Sequence, residues 1–455
     1  MTPPDTMRWE RLLDSGRYGT DRPEPDPGQD PRSPFERDYD RIVFSGHFRR
    51  LGRKTQVHPL NENDHIHTRL SHSMESASLG RSLGVHVGRL LEAGGELPGG
   101  LCPGHVGQVV QAACLAHDIG NPPFGHSGEE AIKAWFKAWL ADNDTLAAAL
   151  SAAQRADLTR FDGNAMALRI MVRTGFEENG TGMRPTLAVL GALMKYPRTA
   201  DNAPAGKDKF SCLDGERSTL EQVAARLGLP GPPGDHRRHP LAFLTEAADD
   251  ICYRVMDLED AMELDILPGR FLLDEFKDAL EMDAARVDDY AARPRRSRNG
   301  SLRAAIMTRA IGACVAAFRD NYDAIMRGEF APGLLDVARE PASQRLREVY
   351  GEVEDRLFRS RRKVELELGA QRSLGLLLDT LIPGALALCA DAPPARGGLC
   401  TPAQAAALLG RERAETLRAP GAGPYEAAVL VLDYLAGMTD HYATALSRRF
   451  MGLGG

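Results

Sequence analysis

The chain has 455 residues, of which 43% are hydrophobic and 26% charged, proportions typical of a soluble globular protein with a large core. Its formal net charge of −7 provides no bulk attraction to nucleic acid or to an anionic membrane, so an anionic substrate must be met by a local basic site. Seven scattered cysteines without a CxxC pair argue against a disulfide framework or a zinc site and predict reduced thiols. Because no apolar run reaches the ~20 residues of a membrane span and the first residues lack a signal-peptide core, we expect a cytoplasmic protein without a membrane contact.

The first part of the chain predicts a flexible arm followed by ordered structure. Residues 1–34 are polar and rich in Pro and Asp, apart from a short helical candidate at 7–13. Ordered structure is expected from Phe35 onward. Residues 55–60 predict a small strand or turn, and residues 69–91 have apolar positions at helical spacing.

The remainder predicts an all-α fold. Helices are expected at 109–116, 127–139, 144–156, 163–175, 185–195, 218–227, 240–267, 270–291, 301–327, 343–366, 371–391, 402–417 and 424–450. The pair Pro383-Gly384 should kink or split one of them. No βαβ alternation and no internal repeat is found, so we divide the chain into the arm 1–34, a core over 35–270 and an additional helical C-terminal region over 271–455.

One stretch, residues 115–130, predicts the chemistry. His117-Asp118 places an imidazole and a carboxylate on adjacent residues at the end of a buried apolar helix. The following Gly-Asn-Pro-Pro turn must stop that helix, because proline lacks the donor and clashes with the preceding turn. Ser127 and Glu130 have the spacing of a capping box, which predicts that the next helix begins there.

Four residues are candidate metal ligands. They are two imidazoles and two carboxylates: His72, His117, Asp118 and Asp249. Asp249 lies in a helix that is otherwise apolar enough to be buried, where a carboxylate is costly unless it is paired or bound to a metal. The set suits a six-coordinate divalent ion with two positions left for water or phosphate oxygens, and it accepts Mn, Mg or Fe. A lone His or Asp on a helix is more often an ordinary core or surface residue, but the adjacent pair, the stiff turn and a further His together favour a metal site.

The surrounding motifs resemble the deoxyguanosinetriphosphate triphosphohydrolases (dGTPases), a family of HD-domain phosphohydrolases. They are Phe35-Glu-Arg-Asp-Tyr-Asp-Arg-Ile, Phe48-Arg-Arg-Leu, Lys54-Thr-Gln-Val, Thr68-Arg-Leu-Ser-His, Ala116-His-Asp-Ile-Gly-Asn-Pro-Pro-Phe-Gly-His-Ser-Gly-Glu, Phe161-Asp-Gly-Asn-Ala, Leu193-Met-Lys-Tyr-Pro and His239-Pro-Leu-Ala-Phe-Leu-Thr-Glu-Ala-Ala-Asp-Asp-Ile-Cys-Tyr. The resemblance covers roughly residues 8–270. It implies that 35–270 is an HD-domain catalytic core with a divalent metal, which hydrolyses dGTP or several dNTPs at the α-phosphate to a deoxynucleoside and tripolyphosphate.

The resemblance also implies roles for individual residues. His126 and Glu129 would form a catalytic pair, in which the Glu orients the imidazole that handles a proton or aligns the attacking water; Glu129 could instead only complement a helix N-terminus. Arg69 would contact phosphate, or be an ordinary exposed helical Arg. The contacts implied for the nucleoside are Tyr253 under the sugar, Asp257 on the 3′-hydroxyl and Gln56 on the base.

Two further hypotheses stay open at this stage. The chain could be another HD phosphohydrolase, a nucleotidase or phosphodiesterase, or it could be a nucleotide- or nucleic-acid-binding regulator that keeps the site for binding. The family resemblance implies a homo-oligomer, a hexamer or tetramer, and raises a dNTP effector and single-stranded DNA as further partners. Departures from the family pattern at Gly46-His47, Gly52-Arg53 and 183–185 lie away from the metal set and bear on base specificity.

Overall fold

The structure is a computed structural model that describes residues 6–20, 30–56, 63–173, 183–204, 206–358, 361–390 and 400–453. Within these residues the chain forms 23 α-helices, three short 3-10 helices and no strand. The only extended pairings in the described ranges are isolated bridges, such as the one between Thr55 and Thr68. The all-α prediction is confirmed.

The helices of the N-terminal part are α1 (Trp9–Leu12), α2 (Pro34–Phe44), α3 (Gly46–Arg50), α4 (Arg69–Ala93), α5 (Pro103–Ala116), α6 (Gly125–Ala141), α7 (Asp144–Ala149), α8 (Ala152–Arg160), α9 (Gly163–Val172), α10 (Leu187–Leu193), α11 (Arg217–Leu227) and α12 (Pro240–Glu263). Those of the C-terminal part are α13 (Phe271–Phe276), α14 (Ala284–Ala292), α15 (Arg295–Asp320), α16 (Tyr322–Met326), α17 (Leu334–Val337), α18 (Pro341–Phe358), α19 (Arg361–Cys389), α20 (Pro402–Leu409), α21 (Arg411–Arg418), α22 (Pro424–Ala436) and α23 (Asp440–Phe450). The 3-10 helices are Leu51–Arg53, Ala200–Asn202 and Asp214–Glu216.

Helices α4, α5 and α12 form the centre of the fold. Glycines allow α4 and α5 to approach closely: a Cβ on Gly84 would lie only 2.8 Å from the Cα of Gly107. Helix α12 starts at Pro240, where the missing N–H is harmless, and the side chain of His239 caps it. Most side chains between these helices are buried and apolar, so burial holds the three helices in register.

The C-terminal helices share hydrophobic cores with the N-terminal part. Buried residues of α6 and α9 pack with those of α19, α22 and α23, and the second half of α12 packs with α13, α15 and α18. A buried ion pair reinforces the first contact, because the guanidinium of Arg169 donates to both carboxylate oxygens of Asp433 at 2.7 and 2.8 Å. The proposed boundary at residue 270 therefore does not separate independent cores.

The structure corrects several boundaries. Residues 6–20 pack on the core instead of forming part of a free arm, since Met7, Trp9 and Leu12 are buried; residues 21–29 lie outside the described residues, as do 57–60 of the predicted strand or turn. The helix expected at 402–417 is broken at Gly410, whose φ of +88° favours glycine. Those expected at 270–291 and 424–450 are also each two helices.

Helix α19 continues through Pro383 instead of splitting there. Its neighbours Leu381, Ile382 and Ala385 are fully buried, and this packing offsets the hydrogen bond that proline cannot make.

Two helices, Arg295–Asp320 and Val364–Cys389, are long and apolar enough to cross a membrane by length and composition alone. About half of each apolar window is buried inside the protein, 44% and 56% respectively. Both contribute side chains to the shared cores, as the core helices of a soluble protein do.

Candidate metal centre and active site

Three predicted ligands meet at the centre of the fold. His72 comes from α4, His117 follows the last residue of α5, and Asp249 comes from α12. The Nε2 of His72 lies 2.9 Å from Oδ1 of Asp249 and 3.2 Å from the Nε2 of His117. The third side, from the Nε2 of His117 to the same Asp249 oxygen, is 3.3 Å. Among the described residues this is the one group of His, Cys, Asp and Glu ligand atoms close enough to share an ion.

The geometry of the triangle fits a divalent ion. Two ligand atoms at right angles, each about 2.1 Å from a metal, lie about 3 Å apart, which matches all three sides. The Nδ1 of His117 is 2.6 Å from the carbonyl oxygen of Cys114, so it carries the proton and donates, leaving Nε2 as a free electron-pair donor. Two nitrogens and an oxygen are also the donors that Mn, Mg and Fe accept.

Lys195 determines the charge of Asp249. It donates a hydrogen bond to Oδ2, while Oδ1 faces the two imidazoles. Burial alone would raise the pKa of Asp249, but the Lys195 ammonium and His117 hold that pKa well below its usual range. The carboxylate is therefore ionised, as a metal ligand must be.

Asp118, the fourth predicted ligand, lies beside the triangle. Its Oδ1 is 3.5 Å from the Nε2 of His117 and accepts a hydrogen bond from the side chain of Asn121. Its Oδ2 accepts one from Nη1 of Arg69 at 2.8 Å. Arg69, the predicted phosphate contact, is thus buried and ion-paired, and is not the exposed helical arginine of the alternative interpretation. Its Nε is buried and has no hydrogen-bond partner.

The turn after Asp118 carries the predicted catalytic pair. The Nδ1 of His126 is 3.3 Å from Oε2 of Glu129, and the side chain of His126 is 77% exposed whereas that of Glu129 is 6% exposed. The amide of Gly163 donates to the other Glu129 oxygen at 2.8 Å. Burial alone would raise the pKa of Glu129, but the hydrogen bond with His126 and the charge of Lys209 lower it to about 2. An ionised, fixed carboxylate therefore faces one ring nitrogen of an exposed imidazole.

The turn also places Gly125, the residue before His126, against Arg69. Gly125 has a φ of +58°, and a side chain there would collide with the guanidinium of Arg69, the same group that contacts Asp118. Helix α6 begins at Gly125, after Phe124 in the left-handed conformation. The predicted capping box at Ser127 is therefore wrong: the hydroxyl of Ser127 donates to Glu367 at 3.0 Å, and Glu130 pairs with Lys133 at 2.8 Å.

Two of the three predicted nucleoside contacts, Tyr253 and Asp257, lie one and two turns after Asp249 on α12. The rings of Tyr253 and Tyr350 lie with centroids 5.7 Å apart, and the hydroxyl of Tyr350 donates to Oδ2 of the buried Asp257 at 2.7 Å. Gln56 is half-buried, and its Oε1 is buried without a partner.

Comparisons with known proteins now identify the family. The HD domain family matches residues 69–173, a range that contains the His-Asp pair, His72 and the His126/Glu129 pair but ends before Asp249. A deoxyguanosinetriphosphate triphosphohydrolase-like protein of Pseudomonas aeruginosa is 40% identical over 463 residues, covering 98% of this chain and 99% of the relative. A protein of the same description from Synechocystis sp. is 34% identical over 458 residues, with 98% and 100% covered. The deoxyguanosinetriphosphate triphosphohydrolase of Klebsiella pneumoniae is 34% identical over 398 residues, with 77% and 76% covered.

The chain belongs to the dGTPase family of HD-domain phosphohydrolases. HD domains are metal-dependent hydrolases, and in this dGTPase-family protein the group of His72, His117 and Asp249 is the candidate metal site.

Three residues that lie against the predicted site residues have no role in the sequence-based prediction. Lys195 lies within one of the family motifs, but nothing in the sequence indicated which carboxylate it faces. Lys209, whose Nζ is 3.8 Å from Oε2 of Glu129, lies between the helices expected at 185–195 and 218–227, where no element is predicted. Tyr350 comes from α18, and only the folded chain brings it to Asp257, 93 residues away.

Proposed function

We propose that this protein is a metal-dependent dNTP triphosphohydrolase, acting on dGTP or several dNTPs. The observation that carries the proposal is the position of the Arg69 guanidinium, which contacts Asp118 and lies against Gly125, next to His126. In this proposal the three ligand side chains, the buried Arg69 guanidinium and the His126–Glu129 pair act as one site. This combination suits attack of water on a phosphorus atom better than it suits binding alone.

The metal would be held by His72, His117 and Asp249, with Asp118 as a fourth ligand. Mn or Mg is the proposed ion, and the donor set also accepts Fe. When bound, such an ion supplies Lewis-acid polarisation of an α-phosphate oxygen and lowers the pKa of a coordinated water.

The side chains supply the rest of the chemistry. Glu129 accepts from Nδ1 of His126, which leaves Nε2 of that imidazole to hold or pass a proton. Water adds to the α-phosphorus as its bond to the 5′-oxygen breaks, and that oxygen takes up a proton. The products are the deoxynucleoside and tripolyphosphate.

Positive side chains meet the charge that develops during this step. The cations that border the site are the buried Arg69 and Lys195 and the partly exposed Lys209. Their charges offset negative charge on phosphoryl oxygens where water is partly excluded. They also provide the local basic surface that a chain of net charge −7 needs to bind a triphosphate.

The nucleoside would lie along α12. Tyr253 packs under the sugar, Asp257 accepts from the 3′-hydroxyl, and Gln56 offers its unpaired Oε1 to the base. A ring close to C2′ disfavours a ribose hydroxyl, so we expect preference for deoxy substrates.

Product analysis tests the proposal. The purified protein is incubated with each dNTP and with GTP, with Mn or Mg, and products are resolved by anion-exchange chromatography. Deoxynucleoside plus tripolyphosphate supports the proposal, whereas inorganic phosphate indicates a nucleotidase. No turnover of any single dNTP or mixture, with either metal, would overturn it.

Two variants separate catalysis from binding. His126→Ala should abolish turnover while nucleotide binding, measured by calorimetry, remains. His86→Ala is the matched control, because His86 is exposed on α4, and it should hydrolyse dNTPs at the wild-type rate. If His126→Ala keeps full turnover, the assigned role of the imidazole is wrong.

The partners and compartment follow as parts of the same proposal. We propose a cytoplasmic homo-oligomer, a hexamer or tetramer, with a dNTP effector and single-stranded DNA as candidate regulators. Light scattering measures the assembly, and rates with mixed dNTPs or added oligonucleotide measure regulation.

A further inference from the structure

Residues Lys54 and Thr55 connect three parts of the molecule that are far apart in sequence. The carbonyl oxygen of Lys54 accepts from the amide of Arg69 at 3.0 Å, at the start of α4. Its Nζ donates to the carbonyl oxygen of Asn121 at 2.7 Å, in the turn that follows the His-Asp pair. The same Nζ donates to the carbonyl of Ala436, the last residue of α22. A buried lysine thus joins the catalytic turn to the C-terminal helices.

Asp440 makes a second connection between the same parts. It is the first residue of α23 and is completely buried. One carboxylate oxygen accepts from the amide and the hydroxyl of Thr55, at 2.9 and 2.6 Å. The other accepts from the amide of Phe124 at 2.8 Å. We refer to Lys54, Thr55 and Asp440 as the clasp.

The Phe124 amide is the contact that matters for chemistry. Phe124 has φ +65° and ψ +13°, a left-handed conformation that is unfavourable for a residue with a side chain and persists only where its surroundings hold it. No side chain caps the N-terminus of α6 at this residue. His126 follows two residues later, so the backbone conformation at Phe124 determines where its imidazole lies.

We infer that Asp440 is a positioning residue for His126, acting through the Phe124 amide from the opposite end of the chain. The C-terminal region then takes part in the active site, since a shift of α23 relative to α22 moves the turn that carries the imidazole. This inference rests on the proposed function for its kinetic consequences, but the contact itself can be tested without it.

The test compares Asp440→Asn with Thr439→Ala in the full chain. The side-chain amide introduced by Asp440→Asn keeps one acceptor oxygen, so it cannot satisfy both Thr55 and Phe124. We expect kcat for the preferred dNTP to fall about 10- to 100-fold, because a displacement of the imidazole by about 1 Å is enough for such a loss. KM and bound metal should stay within about twofold, because the ligand triangle lies on other helices.

Thr439→Ala is the matched control. The side chain of Thr439 caps α23 by accepting from the amide of Tyr442, so its loss weakens the same helix start but leaves the Asp440 carboxylate in place. We expect a lowered thermal midpoint with kcat close to wild type. If both variants lose activity in proportion to their loss of stability, Asp440 has a merely structural role and the inference is wrong.

Hydrogen exchange provides a readout that needs no turnover. Amides in peptides covering 119–127 should exchange faster in Asp440→Asn than in wild type. In Thr439→Ala the same peptides should exchange at the wild-type rate. Failure of the wild type to hydrolyse any dNTP would overturn the proposed function but leave this comparison intact. Equal exchange in wild type and Asp440→Asn, with equal kcat where turnover is measured, would overturn the clasp.

Discussion

The buried Lys195 and the half-buried Asp249 form an ion pair at the edge of the candidate metal centre, in which the ammonium binds the carboxylate oxygen not facing the histidines. Burial alone would lower the pKa of Lys195, but the Asp249 carboxylate raises it above its ordinary value. The pair therefore stays charged, and the lysine fixes the orientation in which Asp249 presents its other oxygen. Groups in this position next to a metal ligand affect both metal affinity and catalysis.

The first prediction concerns this lysine. Lys195→Gln keeps a hydrogen-bond donor but removes the charge that holds Asp249 ionised and helps to neutralise a triphosphate. We expect kcat/KM for the preferred dNTP to fall about 10- to 100-fold, measured over a range of Mn concentrations. Lys137→Gln on the exposed side of α6 is the control and should leave the rate unchanged. A Lys195→Gln rate within twofold of wild type would contradict the assigned role.

The second prediction concerns the metal. Ions that bind only the folded protein stabilise it, by about 2.7 kcal/mol at 100 times the dissociation constant. Removal of metal with a chelator should therefore lower the thermal midpoint and abolish hydrolysis, and added Mn should restore both. His72→Ala should remove the Mn-dependent shift, whereas His86→Ala on the same helix should retain it. An equal Mn shift in His72→Ala would mean that the ion binds elsewhere.

The sequence predicted those candidate residues whose own neighbours along the chain mark them as unusual. His117-Asp118 and the following turn are one stretch, so helix-ending residues and chemistry could be recognised together. Asp249 was found because a carboxylate in an apolar helix needs a partner. The structure places His72, His117 and Asp249 within 3.3 Å of one another, whereas Asp118 lies beside them and faces Arg69.

What the sequence could not predict are contacts made by residues far away. Tyr350 and Asp440 lie in ordinary helical patterns, and only tertiary packing brings them to Asp257 and Phe124. The capping box at Ser127 failed for a related reason: the left-handed Phe124, held from α23, starts α6 earlier than the local pattern indicates.

The third prediction uses Tyr350 to test the sugar contact. Its hydroxyl donates to the buried Asp257, so Tyr350→Phe removes one donor from that carboxylate and leaves the ring in place. A buried acceptor that loses a partner costs about 1–3 kcal/mol, and we expect kcat/KM for dGTP to fall about tenfold or more.

A substrate analogue makes the test of Tyr350→Phe specific. If Asp257 accepts from the 3′-hydroxyl, the wild type should turn over 2′,3′-dideoxy-GTP poorly, and the substitution should affect that analogue less than it affects dGTP. Tyr290→Phe on α14, whose ring lies under the guanidinium of Arg293, is the control. Equal losses on both substrates would show that Tyr350 supports the fold and not the sugar contact.

The fourth prediction concerns pH and a carboxyl group outside the active site. Asp157 on α8 is buried, its Oδ2 accepts from Tyr425 and from the amide of Asp214, and its Oδ1 is buried without a partner. Burial raises the pKa of Asp157 from 3.8 to about 7. Between these two pKa values the folded protein keeps a proton on Asp157 that the unfolded chain has already released. The free energy of unfolding should therefore fall as the pH rises from the lower pKa to the higher one.

Asp157→Asn removes this titration while keeping an oxygen that accepts from Tyr425 and the Asp214 amide. Each unit of pKa difference corresponds to about 1.4 kcal/mol. The free energy of unfolding of the variant, relative to that of wild type, should therefore rise by up to about 3 kcal/mol between about pH 5 and about pH 8, and most of this rise should be reached by about pH 7. Urea midpoints of both proteins across this range measure the difference. Asp288→Asn, which removes an exposed carboxylate from α14, is the control. Its urea midpoint should change with pH in the same way as that of wild type. A constant offset between Asp157→Asn and wild type at every pH would mean that Asp157 is ionised in the folded protein, and that Tyr425 and the Asp214 amide stabilise its charge.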